Sequence, residues 1–223
     1  MGHYTRSAAE RSLKTYFALQ FPMEVASHGT VFSLLTDEEK VSYVSGNFIK
    51  THYSITWQSR LGPVLTICRG DKGLTVDSLL DFLIRSPFIS EERLRLIRKG
   101  LEYYFAEDFA GAAHILVFQV EGIIRDLAKG IGLSGASKRG GALRQSSLDE
   151  LLREKEINEI FGENFVSFLK TLYVDPLQEN LRNNLAHGLV KLDEIEPRHV
   201  DLMILTLLRF CGFERGRKAN TSG

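Results

Sequence analysis

Apolar residues recur along this chain at three- and four-residue spacing, and long apolar–polar alternation is nearly absent, so the pattern predicts an all-α fold. The run Ile115, Leu116, Val117, Phe118, Val120, Ile123 and Ile124 makes almost every face of a helix from Phe109 to Leu127 apolar, which predicts burial on all sides. Start signals accompany the periodicity. Thr36-Asp37-Glu38-Glu39 has the spacing of a capping box and predicts a helix to about Arg60. Ser147-Leu148-Asp149-Glu150 repeats the signature. Ser90 followed by Glu91 and Glu92 is an N-cap with acidic residues at the positive end of the helix dipole. Pro197 suits the first turn of a helix through the apolar run Val200 to Phe210.

Three interruptions divide these helices. Gly62 to Gly70 is bounded by breakers and rich in β-formers, and is read as a short extended connection or a loop. Around Ser86-Pro87 the chain is expected to turn. That turn separates a helical N-terminal region, residues 1–86, from a helical domain, residues 87–223. Gly130 to Ser147 is rich in glycine and serine, poor in large apolar groups, and carries Lys138, Arg139 and Arg144. It is read as a mobile loop that supplies basic residues near an RNA path. A phosphate-cradling P-loop is not implied, because G-x-x-x-x-G-K-[ST] is absent and no apolar strand precedes.

Composition narrows the function classes. A chain of 223 residues, 43% of them hydrophobic, can bury a core for one large domain or two small ones. Its 28 basic and 28 acidic residues cancel, so the whole surface lacks the footprint of a protein that coats nucleic acid. Any RNA contact must be local. Cys68 and Cys211 form no metal-ligand or redox spacing, and no metal or other cofactor is expected. The start, Met1-Gly2-His3-Tyr4-Thr5-Arg6, lacks the layout of a secretory signal, and no apolar run reaches membrane-spanning length. A soluble, cytoplasmic protein without a membrane partner is the expectation.

The candidate chemistry lies in Asp175-Pro176-Leu177-Gln178-Glu179-Asn180-Leu181-Arg182-Asn183-Asn184-Leu185-Ala186-His187-Gly188. Pro176 ends one helix and Gly188 can end the next, which leaves a short helix bearing Arg182, Asn183 and His187. Asn183 and His187 are neighbours at i and i+4, and Arg182 can reach the same cleft. These types suit metal-free phosphodiester cleavage. An imidazole moves a proton near neutrality, and a planar guanidinium grips two phosphate oxygens and stabilises the charge that gathers there. Asn183 can orient the imidazole or the ribose.

Arg182-Asn183-Asn184-Leu185-Ala186-His187 resembles the arginine, polar residue, three variable residues, histidine signature of HEPN domains. It is most similar to a branch of unknown function reading Leu181-Arg182-Asn183 through Ala186-His187-Gly188. That branch also has an earlier helix like Tyr104-Phe105-Ala106-Glu107-Asp108-Phe109, then Ala112-Ala113-His114 and Gln119-Val120-Glu121. Both blocks occur here in order, from about Ser90 to Phe213. The resemblance implies a bundle of four to five helices that forms a homodimer, with arginines and histidines of both copies lining one cleft. It implies a metal-independent endoribonuclease of the kind found in toxin–antitoxin, antiviral-defence and RNA-processing systems. Arg182, His187 and Asn183 take the catalytic positions, and an inhibitory or sensor protein is a possible partner.

Other readings stand beside this one. The chain can instead be a non-catalytic helical module that binds a nucleotide or a protein, or a fragment of a larger defence protein. His114, Glu121 and Arg125 share one stripe at i, i+7 and i+11. Either Glu121 and Arg125 pair internally beside a core His114, or Glu121 or His114 holds Arg182 or His187 in place. His28, His52 and His199 have no ligand spacing and are read as surface or packing residues. Tyr103, Tyr104, Phe105 and Phe109 are read as core or dimer interface.

Overall fold

A computed structural model of the chain describes residues 23–27, 30–34, 36–70, 73–133, 136–139 and 142–213. His28 lies outside them. The described residues are mostly helical, as the periodicity requires. An antiparallel hairpin of β1 (Met23–Ser27) and β2 (Thr30–Leu34) comes first, with Met23 opposite Leu34, so the N-terminal region is not helical throughout. The helices α1 (Asp37–Thr56), α2 (Gly62–Gly70), α3 (Val76–Leu83), α4 (Glu91–Phe105) and α5 (Phe109–Gly130) follow. Next come the strands β3 (Ala136–Arg139) and β4 (Ala142–Gln145). The helices α6 (Leu148–Leu151), α7 (Lys155–Phe161), α8 (Glu163–Tyr173), α9 (Leu181–Ala186) and α10 (Pro197–Phe210) complete the described order.

The start signals act where the sequence places them. Thr36 Oγ1 accepts from Glu39 N at 3.2 Å, and Glu39 Oε2 accepts from Thr36 N at 2.9 Å. Ser147 and Glu150 make the same reciprocal pair at the start of α6, and Ser90 Oγ caps α4. Each cap satisfies backbone donors that have no partner inside the helix, a contribution of about 1 kcal/mol.

Two segments differ from expectation. Gly62–Gly70 is helix, joined to α1 through a π-helical turn at Trp57–Leu61. Pro63 falls in the first turn of α2, where its missing N–H is no loss and the wide π turn has already interrupted the ladder. The β-branched residues of α2 are carried along, because their propensity is worth only tenths of a kcal/mol each, roughly 0.5. The segment read as a mobile loop contains a two-stranded antiparallel ladder, Ala136 opposite Gln145 and Arg139 opposite Ala142. The overlooked signal is Gly140-Gly141 between two short runs, a composition that favours hairpins.

The core forms around α5. Ala112, Ala113, Leu116, Val117, Val120, Ile123 and Ile124 have no exposure, and each large aliphatic among them contributes about 1.5–3 kcal/mol by burial. Helices α4 and α5 run antiparallel. Gly100 is needed at their contact, since a Cβ there would lie 2.5 Å from Leu116 Cδ2. Farther along, the Arg93 guanidinium crosses Gly122 and binds Asp126 at 2.6 Å. Phe161, Phe165, Phe210 and Phe213 pack ring against ring between α7, α8 and the end of α10. Of the aromatic residues read as core or dimer interface, Tyr104 is in the core and Tyr103 is exposed.

Helix α1 docks on the later helices through polar contacts. Trp57 Nε1 donates to Asp201 Oδ2 at 2.7 Å, and Tyr104 OH donates to the other oxygen at 2.6 Å. Gln178 lies against Gly46 and donates to the Tyr43 carbonyl. Ser86 is buried and donates to the Phe210 carbonyl.

Candidate functional site

The segment around α9 is shaped by three local devices. Asp175 Oδ1 accepts from Leu177 N at 2.9 Å, which turns the chain around Pro176. Asn180 adopts the left-handed conformation at φ 50°, which asparagine tolerates better than most residues. After six helical residues, Gly188 at φ 65° closes α9 in a Schellman turn, with Leu189 N donating to Asn184 O and Gly188 N to Leu185 O. His187 is therefore the C-cap residue of α9, a consequence of where Gly188 stands.

Arg182 is held on three sides. Its Nε donates to Glu121 Oε2 at 2.7 Å, its Nη2 to Glu121 Oε1 at 3.4 Å, and its Nη1 to Asn183 Oδ1 at 3.0 Å. Glu121 also accepts from Arg125 Nη2 at 2.6 Å, and Arg125 Nη1 donates to the Ser146 carbonyl at 2.8 Å. The Glu121 side chain is 9% exposed. Burial alone would raise its pKa, but hydrogen bonds from Arg182 and then Arg125 outweigh that and hold it below the ordinary carboxylate value. Two guanidiniums share one carboxylate, so the cluster has one net positive charge. Arg182 is 25% exposed and, among the described residues, has one N–H on each Nη without a partner.

The two readings of Glu121 thus hold together: it pairs with Arg125 and grips Arg182. Of the two roles expected for Asn183, orienting the imidazole is not what its contacts do. Its Oδ1 accepts from Arg182 and its Nδ2 donates to Asn180 Oδ1 at 2.8 Å, so it orients the guanidinium. The His187 side chain is exposed, and no hydrogen bond holds it among the described residues. His114 is not a core residue. It is exposed, its Nδ1–H donates to the Ala110 carbonyl at 2.8 Å, and it bonds neither Arg182 nor His187. The stripe of α5 is buried at Glu121, where Arg182 of α9 meets it, and open at His114. Arg144 forms an ion pair with Glu150 and so braces the Ser147 capping box. The side chains of Lys138 and Arg139 lie outside the described residues.

A second polar cluster was not legible in the sequence. Glu179 Oε1 accepts from Arg198 Nη1 at 2.9 Å and Tyr53 OH at 3.3 Å, with Lys50 Nζ at 3.5 Å. His199 Nε2 lies 3.6 Å from Glu179 Oε2, and His199 Nδ1 accepts from Glu196 N at 3.1 Å. Burial would raise the Glu179 carboxyl, yet His199, Arg198 and Lys50 hold it far below the usual range. Burial, then Glu179, pushes the Tyr53 phenol well up. His199, read only as surface or packing, is buried inside this network. A small cavity of about 130 Å³ beside it is bounded by Glu179, Asn184, Glu194 and His199, and neither Arg182 nor His187 lines it.

No family model matches the chain, and no solved structure matches it. Among the described residues, no three His, Cys, Asp or Glu side chains gather to hold a metal ion, and Cys68 and Cys211 are free thiols. No helix of the described residues is long and apolar enough to cross a membrane.

Proposed function

We propose that this chain is a metal-independent endoribonuclease of the HEPN type, with Arg182 and His187 as its catalytic residues. The observation that carries the reading is an exposed imidazole on the same short helix as a guanidinium already oriented by Glu121 and Asn183. Orientation before substrate arrives is what electrostatic stabilisation of a developing charge requires. Arg182 receives two oxygens of the scissile phosphate on its remaining N–H groups. The ribose 2′-hydroxyl attacks the adjacent phosphorus, its proton passes to an imidazole, and the P–O5′ bond breaks as the 5′-oxygen takes a proton. The products are a 2′,3′-cyclic phosphate and a 5′-hydroxyl. One histidine serves one of the two proton transfers at a time, so a homodimer that pairs His187 of two copies in one cleft supplies both. Lys138 and Arg139 lie on the hairpin that leads back to Ser146, the residue Arg125 holds, and extend the path for RNA.

The experiment is incubation of the purified protein with assorted RNAs in excess chelator. Cleavage that leaves cyclic-phosphate ends and disappears in His187→Ala supports the reading. Cleavage that persists in that variant overturns the role of His187.

One observation favours a second reading. Arg182 is committed to a buried carboxylate, as a residue that only supports a nucleotide- or protein-binding module would be. Cleavage separates the two, with melting as the check on folding. The catalytic reading expects His187→Ala to melt like the parent while cleavage falls by about 10²–10⁴-fold; the module reading expects neither protein to cut RNA under any condition.

A further inference from the structure

At 100° per residue, His114, Phe118, Glu121 and Arg125 fall within about 60° of one another around the axis of α5. The C-terminal half of this stripe is covered, Glu121 by Arg182 and Arg125 by the Ser146 carbonyl. The N-terminal half is open. Phe118 is 36% exposed, although its neighbours Val117 and Gln119 are buried, and His114 one turn earlier is exposed as well. Helix α4 packs on the adjoining side, at Ile115, Leu116, Gly122 and Asp126, and leaves the Phe118 ring partly open. A phenyl ring therefore faces water about one turn of helix from the carboxylate that holds Arg182.

Two occupants suit an exposed ring at such a place, a nucleobase or a second copy of the chain. A nucleotide brings a flat base to the ring and a negative phosphate to the guanidinium. Resting on the ribonuclease reading above, we infer that Phe118 is a stacking platform for a base of single-stranded RNA, beside the phosphate that Arg182 receives. Stacking needs only a π-face, so the platform accepts any base and sets position along the strand, not sequence.

The test uses the full chain carrying His187→Ala, so that bound RNA stays whole, and reads the affinity for a fluorescent single-stranded oligoribonucleotide by anisotropy. Adding Phe118→Ala or Phe118→Leu is expected to weaken binding about tenfold, with Phe118→Tyr and Phe118→Trp close to the parent. Leucine separates stacking from simple apolar contact. Equal affinity across all four variants overturns the inference and leaves the ribonuclease reading standing. Unchanged affinity with a shifted sedimentation coefficient in Phe118→Ala assigns the face to a second copy and overturns it too. A parent that binds no RNA overturns both readings together.

Discussion

Two clusters in this molecule use the same side-chain types for opposite ends. Around Glu121, two arginines share a carboxylate beside an exposed histidine; around Glu179, an arginine, a lysine and a tyrosine surround a carboxylate beside a buried histidine. Arg198 is 14% exposed against 25% for Arg182, and His199 has both ring nitrogens among protein partners where His187 has none among the described residues. Residue type therefore does not mark a reactive site. What distinguishes the first cluster is polar capacity left over and reachable from solvent. The second joins α1 to α10 and to the segment before α9, and its capacity is used up in doing so.

The sharpest way to break this comparison is His187→Ala. Loss of a proton-transfer group is expected to slow RNA cleavage by about 10²–10⁴-fold, with the unfolding midpoint unchanged because the side chain supports nothing. Parallel loss of stability would place His187 with the Glu179 type of cluster.

Glu179→Ala should do the reverse. Removing the carboxylate leaves Arg198 and His199 buried without their anion, a loss on the order of 3 kcal/mol in urea unfolding. The same group predicts a pH dependence. Its carboxyl is depressed in the folded chain, so its stabilisation is fully present above the ordinary carboxylate pKa of about 4.3 and drains away as pH falls toward the folded value. Urea midpoints recorded from pH 6 down to pH 3 should fall for the parent and fall less for Glu179→Gln. Matching slopes would remove Glu179 as the source.

Arg182→Lys sharpens the comparison from the other side. An ammonium retains the charge but cannot reach both Glu121 oxygens and Asn183 at once, so cleavage should drop at least tenfold, while stability changes by about 1 kcal/mol because Arg125 still neutralises Glu121. The smallest effect is expected for Gly188→Ala. Its left-handed φ of 65° costs a side chain about 1 kcal/mol, visible as a shift of a few degrees in melting temperature. If that variant melts with the parent, the Schellman turn does not secure α9.

Much of the helical pattern could be read directly. The caps at Thr36, Ser90 and Ser147, the first-turn Pro197 and most of the buried run of α5 depend on residues within four positions of one another, and each acts where it stands; within that run Phe118 is exposed and Ile115 only partly buried, against the expectation of burial on all sides. Gly62-Pro63 misled because a breaker pair stops a helix only when the lost hydrogen bond matters, and the π turn at Trp57 to Leu61 had already given it up. His114 misled for a different reason. Periodicity tells which residues share a face, but not how far along that face a neighbouring helix reaches.

Spacing alone sets most of the helices, the short segment bearing Arg182 and His187, and the stripe from His114 to Arg125, because capping and amphipathic order are interactions between near neighbours in the chain. Most partners were beyond its reach. Glu121 and Arg182, 61 residues apart, were joined only as one of two readings, and nothing in the spacing pairs Tyr53 with Glu179 across 126 residues or Trp57 with Asp201 across 144. Which histidine is sealed and which stays open to solvent follows from those long-range contacts, since burial belongs to the packed assembly and not to any stretch of the chain.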